Sequence, residues 1–286
     1  ARLARDVPAP PAVAAAAVSA AALTGGGAEA VRRGVLAVAK AMGGGRLPPQ
    51  EAEPERGFDA ALANADTDLA SLADRLAAPD APRAVSLLLS GPPGTGKSAF
   101  ARGLAHRLGL DPLVKRASDL LSRWVGGSEQ AIAAAFQEAA EEGRFLIIDE
   151  ADGLLADRRG AAQSWEVTQV NELLTWMEHH PLPFACTTNL PERLDPACLR
   201  RFLVKVRFEA LRPEQARAAF ARFFGQAAPT GLADLPPLVP ADFALVARKA
   251  RLLGTIEDPA ALLQLLAEEA AARPGATAPV GFRPRD

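Results

Sequence analysis

Apolar residues along the chain follow two spacings. Short apolar runs occur at Ala84–Ser90 and, without a break, at Phe145–Ile148; Leu113–Arg116 reads as a weak strand, and Phe184–Thr187 and Leu203–Phe208, the latter interrupted by Lys205 and Arg207, supply two more. Runs of this length and composition fit strands buried on both faces, as in a parallel sheet. Between them, apolar residues recur every three or four positions. Phe100, Leu104 and Leu108 do so within Ala99–Leu108. Ile132, Ala135, Phe136 and Ala139 do so within Glu129–Glu142, and Val167, Val170, Leu174 and Met177 mark another helix. Upstream, Asn64-Ala65-Asp66 is read as the cap of a helix with Leu69, Leu72, Ala73 and Leu76 on one face, ended by Pro79 and Pro82. Five strands alternating with helices predict an α/β fold, a three-layer sandwich around a parallel five-stranded sheet.

From Arg212 the strand signals end. Glu214–Phe224, Ala241–Leu253 and Pro259–Ala272 read as three helices, joined in part by a Pro- and Gly-rich loop over Gly225–Pro240. The second is expected to bury Phe243, Val246, Ala247 and Ala250, and the third Leu262, Leu263 and Leu266. The chain therefore reads as an Ala/Gly/Pro-rich region over 1–57, a large α/β domain over 58–210 and a small all-helical domain over 211–286. In the first region a helix is expected between Ala28 and Met42. Arg2 and Arg5 before the Ala12–Leu23 run superficially suggest a signal peptide, but the run is mostly alanine and too short to span a bilayer. The chain opens on Ala1 rather than Met, as expected of a fragment or processed form.

Composition narrows the function classes. Net charge is −2 over 286 residues, so nothing suggests a polyanion-binding surface, and a nucleic-acid partner is an unfavoured expectation. Cys186 and Cys198 are the only cysteines, too few for a Cys-rich zinc site or a disulfide framework. A cytoplasmic location with no membrane partner is the expectation.

The chemistry concentrates after the first apolar run. Gly91-Pro92-Pro93-Gly94-Thr95-Gly96-Lys97-Ser98 stands between a strand and a helix, where its backbone N–H groups can cradle phosphate oxygens. Lys97, one of five lysines in the chain, supplies a point charge for the β/γ-phosphates, and the Ser98 hydroxyl suits Mg²⁺. Asp149 and Glu150 close the run 145–148, at the strand end that lines the ligand crevice of an open α/β sheet. Asp149 is expected to hold Mg²⁺ through its water shell, and Glu150 to polarise an attacking water. Asp152 reads as a helix-start residue rather than a ligand. ATP and Mg²⁺ are thus the expected substrate and metal.

These segments resemble the AAA+ ATPases, in the clade that holds katanin, spastin and the vacuolar-sorting AAA proteins. Gly91–Ser98 looks like a Walker A, and Phe145–Glu150 like a Walker B with its catalytic glutamate. Thr187-Thr188-Asn189 resembles sensor 1, and Leu194–Phe202 the second region of homology. The resemblance runs from about Phe58 to Leu266. It implies strand order 5-1-4-3-2, a helical lid and a homo-oligomeric ring, expected to be a hexamer, that remodels or unfolds a polypeptide substrate. By the same resemblance Asn189 senses the γ-phosphate, and Arg200 and Arg201 reach the neighbouring subunit's ATP. Trp124-Val125-Gly126 resembles the substrate-gripping pore loop, and Trp165 stands near Arg158-Arg159-Gly160, where a second such loop would lie. Three departures stand out. Gly127 replaces the family's acidic residue after the pore loop. The second arginine follows the first directly, as in katanin-like members. Pro240-Ala241-Asp242 replaces Gly-Ala-Asp in the lid, where Arg248 and Arg251 could stand in for a sensor-2 arginine. Two rivals are a DNA-directed AAA+ machine, which predicts basic pore residues, and a non-catalytic nucleotide-gated scaffold, which predicts loss of the catalytic residues.

Overall fold

The chain divides into two units, Ala1–Gly57 and Phe58–Asp286. The computed structural model describes residues 58–122, 126–157 and 164–273, all in the second unit. The helix expected between Ala28 and Met42 lies outside the described residues.

Six strands form one sheet: β1 (Asn64–Ala65), β2 (Ser86–Ser90), β3 (Pro112–Arg116), β4 (Phe145–Asp149), β5 (Phe184–Thr188) and β6 (Val204–Glu209), in the order β1-β6-β2-β5-β4-β3. The five longer strands pair in parallel. Their order is the 5-1-4-3-2 that the resemblance implied. The sixth strand corrects the reading of Asn64-Ala65-Asp66 as a helix cap. Asn64 and Ala65 pair antiparallel with Glu209 and Phe208. Asp66 continues the edge, its N–H donating to the Arg207 carbonyl at 3.0 Å and its Oδ1 accepting from the Arg207 N–H at 2.9 Å. The helix instead starts at Asp68, whose carboxylate accepts from the Ala70 and Ser71 N–H groups. A partner more than a hundred residues away decided this, so no local signal could announce it.

Helices cover both faces of β2, β4 and β5, which is why these strands read as apolar runs, whereas β3 and β6 expose part of their length and carry Lys115, Arg116, Lys205 and Arg207. Successive side chains alternate between the layers. Leu87, Leu89, Phe145 and Ile147 face α1 (Leu69–Leu76) and α2 (Lys97–Arg107), in a core with Phe100, Leu104 and Phe208. Leu88, Leu146 and Ile148 face the other way. They pack with residues of α3 (Ala117–Leu120), α4 (Gly127–Glu142), α5 (Ser164–His179) and α6 (Pro196–Arg201). A third core belongs to α7 (Pro213–Phe224), α8 (Pro240–Leu253) and α9 (Pro259–Ala271). Phe243, Val246, Ala247 and Ala250 are buried there as expected. On α9, Leu265 joins Leu262 and Leu266 in the core, while Leu263 is half-buried at its margin. No helix among the described residues is long and apolar enough to cross a membrane.

His180, just past α5, is 5% exposed and lies edge-on to Phe136 and Phe184. Its Nε2 finds no partner among the described residues. Burial pushes its pKa down from 6.5 to about 4. The unfolded chain therefore binds a proton that the folded chain resists between those values, so this group's stabilisation is complete above pH 6.5 and is lost as pH falls towards 4. His180→Leu should remove an acid-side loss of about 1–2 kcal/mol. Urea denaturation of both proteins at pH 7 and pH 4.5 checks this, and parallel acid limbs would rule it out.

Candidate active site

The site forms where β2, β4 and β5 end. Parallel pairing sets Ser90 opposite Thr188 and Ile148 opposite Cys186, so the three exit loops leave the same edge of the sheet. The glycine-rich loop leaves β2 at Gly91, whose φ is 135°. A Cβ there would lie 2.2 Å from the Phe208 carbonyl oxygen, so only glycine lets the loop cross β6 this closely. Gly96 is the N-cap of α2 and brings no side chain to the first-turn N–H groups, which stay open to an anion.

Lys97 opens α2 and is 7% exposed. Its Nζ donates to the carbonyls of Gly91 and Pro92 and to Asn189 Oδ1, each at 2.8 Å. Burial lowers its pKa to about 8, against the opposing pull of the Asp149, Asp152 and Glu150 carboxylates. Because Asn189 Oδ1 accepts from Lys97, its amide nitrogen is left as the donor for a ligand.

The next residue of α2 is Ser98. Its hydroxyl donates to Asp149 Oδ1 at 2.6 Å, and Thr187 donates to the same oxygen at 2.6 Å. The Thr187 hydroxyl also accepts from the Glu150 N–H at 3.0 Å. The Ser98 hydroxyl and the Asp149 carboxylate thus converge as two hard oxygen donors, a set that fits Mg²⁺ completed by phosphate and water. Glu150 has φ 56° and ψ 48°, the only positive-φ residue other than glycine among those described. Its side chain is exposed. A non-glycine residue in this region marks a local strain that the surrounding bonds maintain.

Asp152 lies in a short 3-10 turn, Ala151–Gly153. It does stand at a helix start, but its carboxylate turns to the β5 exit loop. Its Oδ1 accepts from the Thr188 hydroxyl, from the Asn189 N–H at 3.2 Å and from the Leu190 N–H at 3.1 Å. Sequence reasoning missed both this role and that of Thr187. The available signal was Thr187-Thr188, two hydroxyl residues ending an otherwise apolar buried strand.

The same segment is stitched to the arginine-bearing helix. The Asp195 N–H donates to the Leu155 carbonyl at 2.8 Å, and the Asp157 N–H to the Arg193 carbonyl at 3.0 Å. Asp195 caps α6 through the Ala197 N–H at 2.7 Å. The two arginines part company at the end of α6. Arg201 pairs with Glu178 of α5, whereas Arg200 is exposed and makes no ion pair among the described residues.

The helical lid reaches the loop through the start of α8. The Ala241 N–H donates to the Gly94 carbonyl at 3.2 Å. Pro240 takes the first helical position, where its missing N–H costs nothing. Asp242 is buried just behind, accepting from the Val239 N–H at 2.7 Å and pairing with Arg273 at 3.1 Å. Burial raises its carboxyl pKa, opposed by those two contacts. Arg248 and Arg251 are exposed and make no bond to the phosphate loop among the described residues. Trp124, Val125, Arg158-Arg159-Gly160 and the side chain of Trp165 lie outside the described residues. Gly126 is described, with φ 81° as the N-cap of α4.

Residues 87–210 match the family described as "ATPase family associated with various cellular activities (AAA)". Protein SAV of Sulfolobus acidocaldarius is 39% identical over 121 residues, 40% of this chain and 15% of that protein. A Corynebacterium diphtheriae protein named "AAA ATPase forming ring-shaped complexes" is 36% identical over 164 residues, 50% of this chain and 32% of that protein. Spastin of Ixodes scapularis is 35% identical over 128 residues, 42% of this chain and 20% of that protein. The chain spans at most a third of the length of these relatives.

The lid contact yields a paired prediction. A Cβ on Gly94, at φ 79°, would lie 2.8 Å from Ala241 Cβ, whereas one on Gly109, at φ 70°, meets nothing within 4 Å. Gly109→Ala should cost about 1–2 kcal/mol, the penalty of the left-handed backbone alone. Gly94→Ala should exceed it by about 1 kcal/mol or more, because the lid must also shift. Equal losses in chemical denaturation would mean that the lid does not press on the loop in solution.

Proposed function

From the premise that residues 87–210 are an AAA ATPase domain, we propose that the chain hydrolyses ATP with Mg²⁺ and, as a homohexameric ring, uses that reaction to remodel or unfold polypeptide substrates. The observation that carries the reading is the convergence of Lys97, Ser98, Asp149, Glu150 and Asn189 on one edge of the sheet, with Lys97 Nζ 2.8 Å from Asn189 Oδ1. These are the groups that phosphoryl transfer to water requires, and none is missing.

Each residue has a role that follows from its position. The open N–H groups of the glycine-rich loop and the Lys97 ammonium bind the phosphates. Ser98 and Asp149 would hold Mg²⁺, which would supply positive charge to offset that of the phosphates. Glu150, held in its left-handed conformation, orients and polarises the attacking water. The Asn189 amide nitrogen donates to the γ-phosphate. Arg200, exposed at the end of α6, acts on the ATP of the adjoining subunit, while Arg201 is steered by its bond to Glu178. The printed name of the Corynebacterium relative supports a ring. Trp124-Val125-Gly126 is the proposed polypeptide grip, on the strength of its sequence.

Glu150→Gln tests the chemistry. It should bind ATP with near-normal affinity and lose turnover by about 100-fold or more. Retained turnover would assign the water to another group and overturn the role of Glu150, while absence of turnover in the unsubstituted protein would overturn the hydrolytic reading.

The ring has its own test. Arg200→Ala should leave nucleotide affinity intact and depress turnover. Mixing it with Lys97→Ala subunits should restore part of the activity, because hybrid interfaces join an intact site to an intact arginine. Mixed rings that form yet stay inactive would place the Arg200 function elsewhere.

A further inference from the structure

We propose that Asp152 is the positioning residue that locks the Asn189 loop to the Glu150 turn, setting the γ-phosphate donor and the water-polarising carboxylate in one fixed geometry. This inference rests on the hydrolytic reading above and adds a residue to it. Glu150 and Asn189 leave different strands, β4 and β5, and neither side chain touches the other's backbone through any bond among the described residues. Beside the bond from the Glu150 N–H to the Thr187 hydroxyl, the two loops are tied by a pair of carboxylates flanking Glu150. On one side, Asp149 accepts from Thr187 at 2.6 Å. On the other, a single oxygen of Asp152 collects the Thr188 hydroxyl, the Asn189 N–H and the Leu190 N–H. Thr188 is fully buried and its hydroxyl also accepts from the Leu190 N–H at 3.0 Å, so the loop has little freedom to reorient while the carboxylate is present. Removing Asp152 would orphan the Asn189 N–H and the proton of a buried hydroxyl, and leave the Leu190 N–H only its bond to Thr188, at the point where Asn189 turns towards Lys97. Its effect should therefore fall on the reaction more than on nucleotide affinity, since Lys97 and the loop amides remain in place.

All three bonds go to one oxygen, so an amide at this position can accept them. Asp152→Ala should lower kcat about 10- to 100-fold, in line with the sensitivity of hydrolysis to small misplacements, with the Kd for a fluorescent ATP analogue changed less than about threefold. Asp152→Asn should recover most of that turnover. In an Asn189→Ala background, Asp152→Ala should lower kcat little further, because the group it positions is already gone. Thr188→Val, which removes one of the three donors, should lower kcat several-fold at unchanged Kd, and it serves if Asp152→Ala does not fold. Steady-state turnover beside titrations with the analogue reads all of these, with Glu150→Gln as the reference. If Glu150→Gln is inactive while Asp152→Ala or Thr188→Val turns over normally, the positioning role is wrong and the hydrolytic reading stands. A full multiplicative loss in the Asn189→Ala background would also overturn it. Absence of turnover in the unsubstituted protein would remove the hydrolytic reading itself, whereas normal turnover in Glu150→Gln would remove only the role given to Glu150.

Discussion

Parallel pairing of β2 with β5 and of β5 with β4 is the constraint on which the site depends. It sets Ser90 opposite Thr188 and Ile148 opposite Cys186, so three loops of unrelated sequence leave the sheet side by side. A one-residue slip would turn Leu146 and Ile148 into the layer occupied by Phe145 and Ile147, against helices of the wrong shape. Both faces of these strands are buried, so the packing that excludes such a slip also holds Lys97, Ser98, Asp149, Thr187 and Asn189 within hydrogen-bond reach of one another.

Charge in this edge is organised by bonds from groups that would otherwise be unsatisfied. Lys97 is nearly buried, and its three acceptors are two loop carbonyls and Asn189. Burial lowers its pKa to about 8, and phosphate charge placed beside it would favour the protonated form again. Asp149 spends one oxygen on two hydroxyls, one from α2 and one from β5, and so joins the phosphate loop to the strand that carries Asn189. Asp152 makes the second such joint. The left-handed Glu150 sits between them, and strain there is sustained because both neighbouring carboxylates are anchored.

The lid communicates with this edge through backbone. Ala241 donates to the Gly94 carbonyl, and Asp242 fixes the same helix start through Val239 and Arg273. Proline at position 240 suits that arrangement, since a first-turn residue needs no N–H and gains a preset φ. The start of α8 is thus bonded directly to the glycine-rich loop that precedes Lys97. Below the same sheet, the stitching of Leu155–Asp157 to Arg193–Asp195 joins the Glu150 turn to the helix bearing Arg200. The site has one mechanical link to the lid and another to the arginine helix.

By itself the sequence determined the five parallel strands, the helices between them, the phosphate loop and the Asp149–Glu150 pair. It could do so because each rests on local rules: apolar runs for strands buried on both faces, helical spacing, and glycines placed where a loop must pass close to another backbone. The order of the strands and the grouping of Asn189, Arg200 and Arg201 with the site came from family resemblance, as motif spacing alone carries no pairing information. Only the tertiary structure decided that Asn64–Ala65 is an edge strand, because its partner β6 lies at the other end of the domain. It also separated the two arginines, since Glu178 lies one helix away from Arg201, and it turned Asp152 from the start of a turn into the anchor of Asn189. A carboxylate's role depends on which donors reach it, and here those donors come from a strand that pairing, rather than sequence proximity, brings alongside.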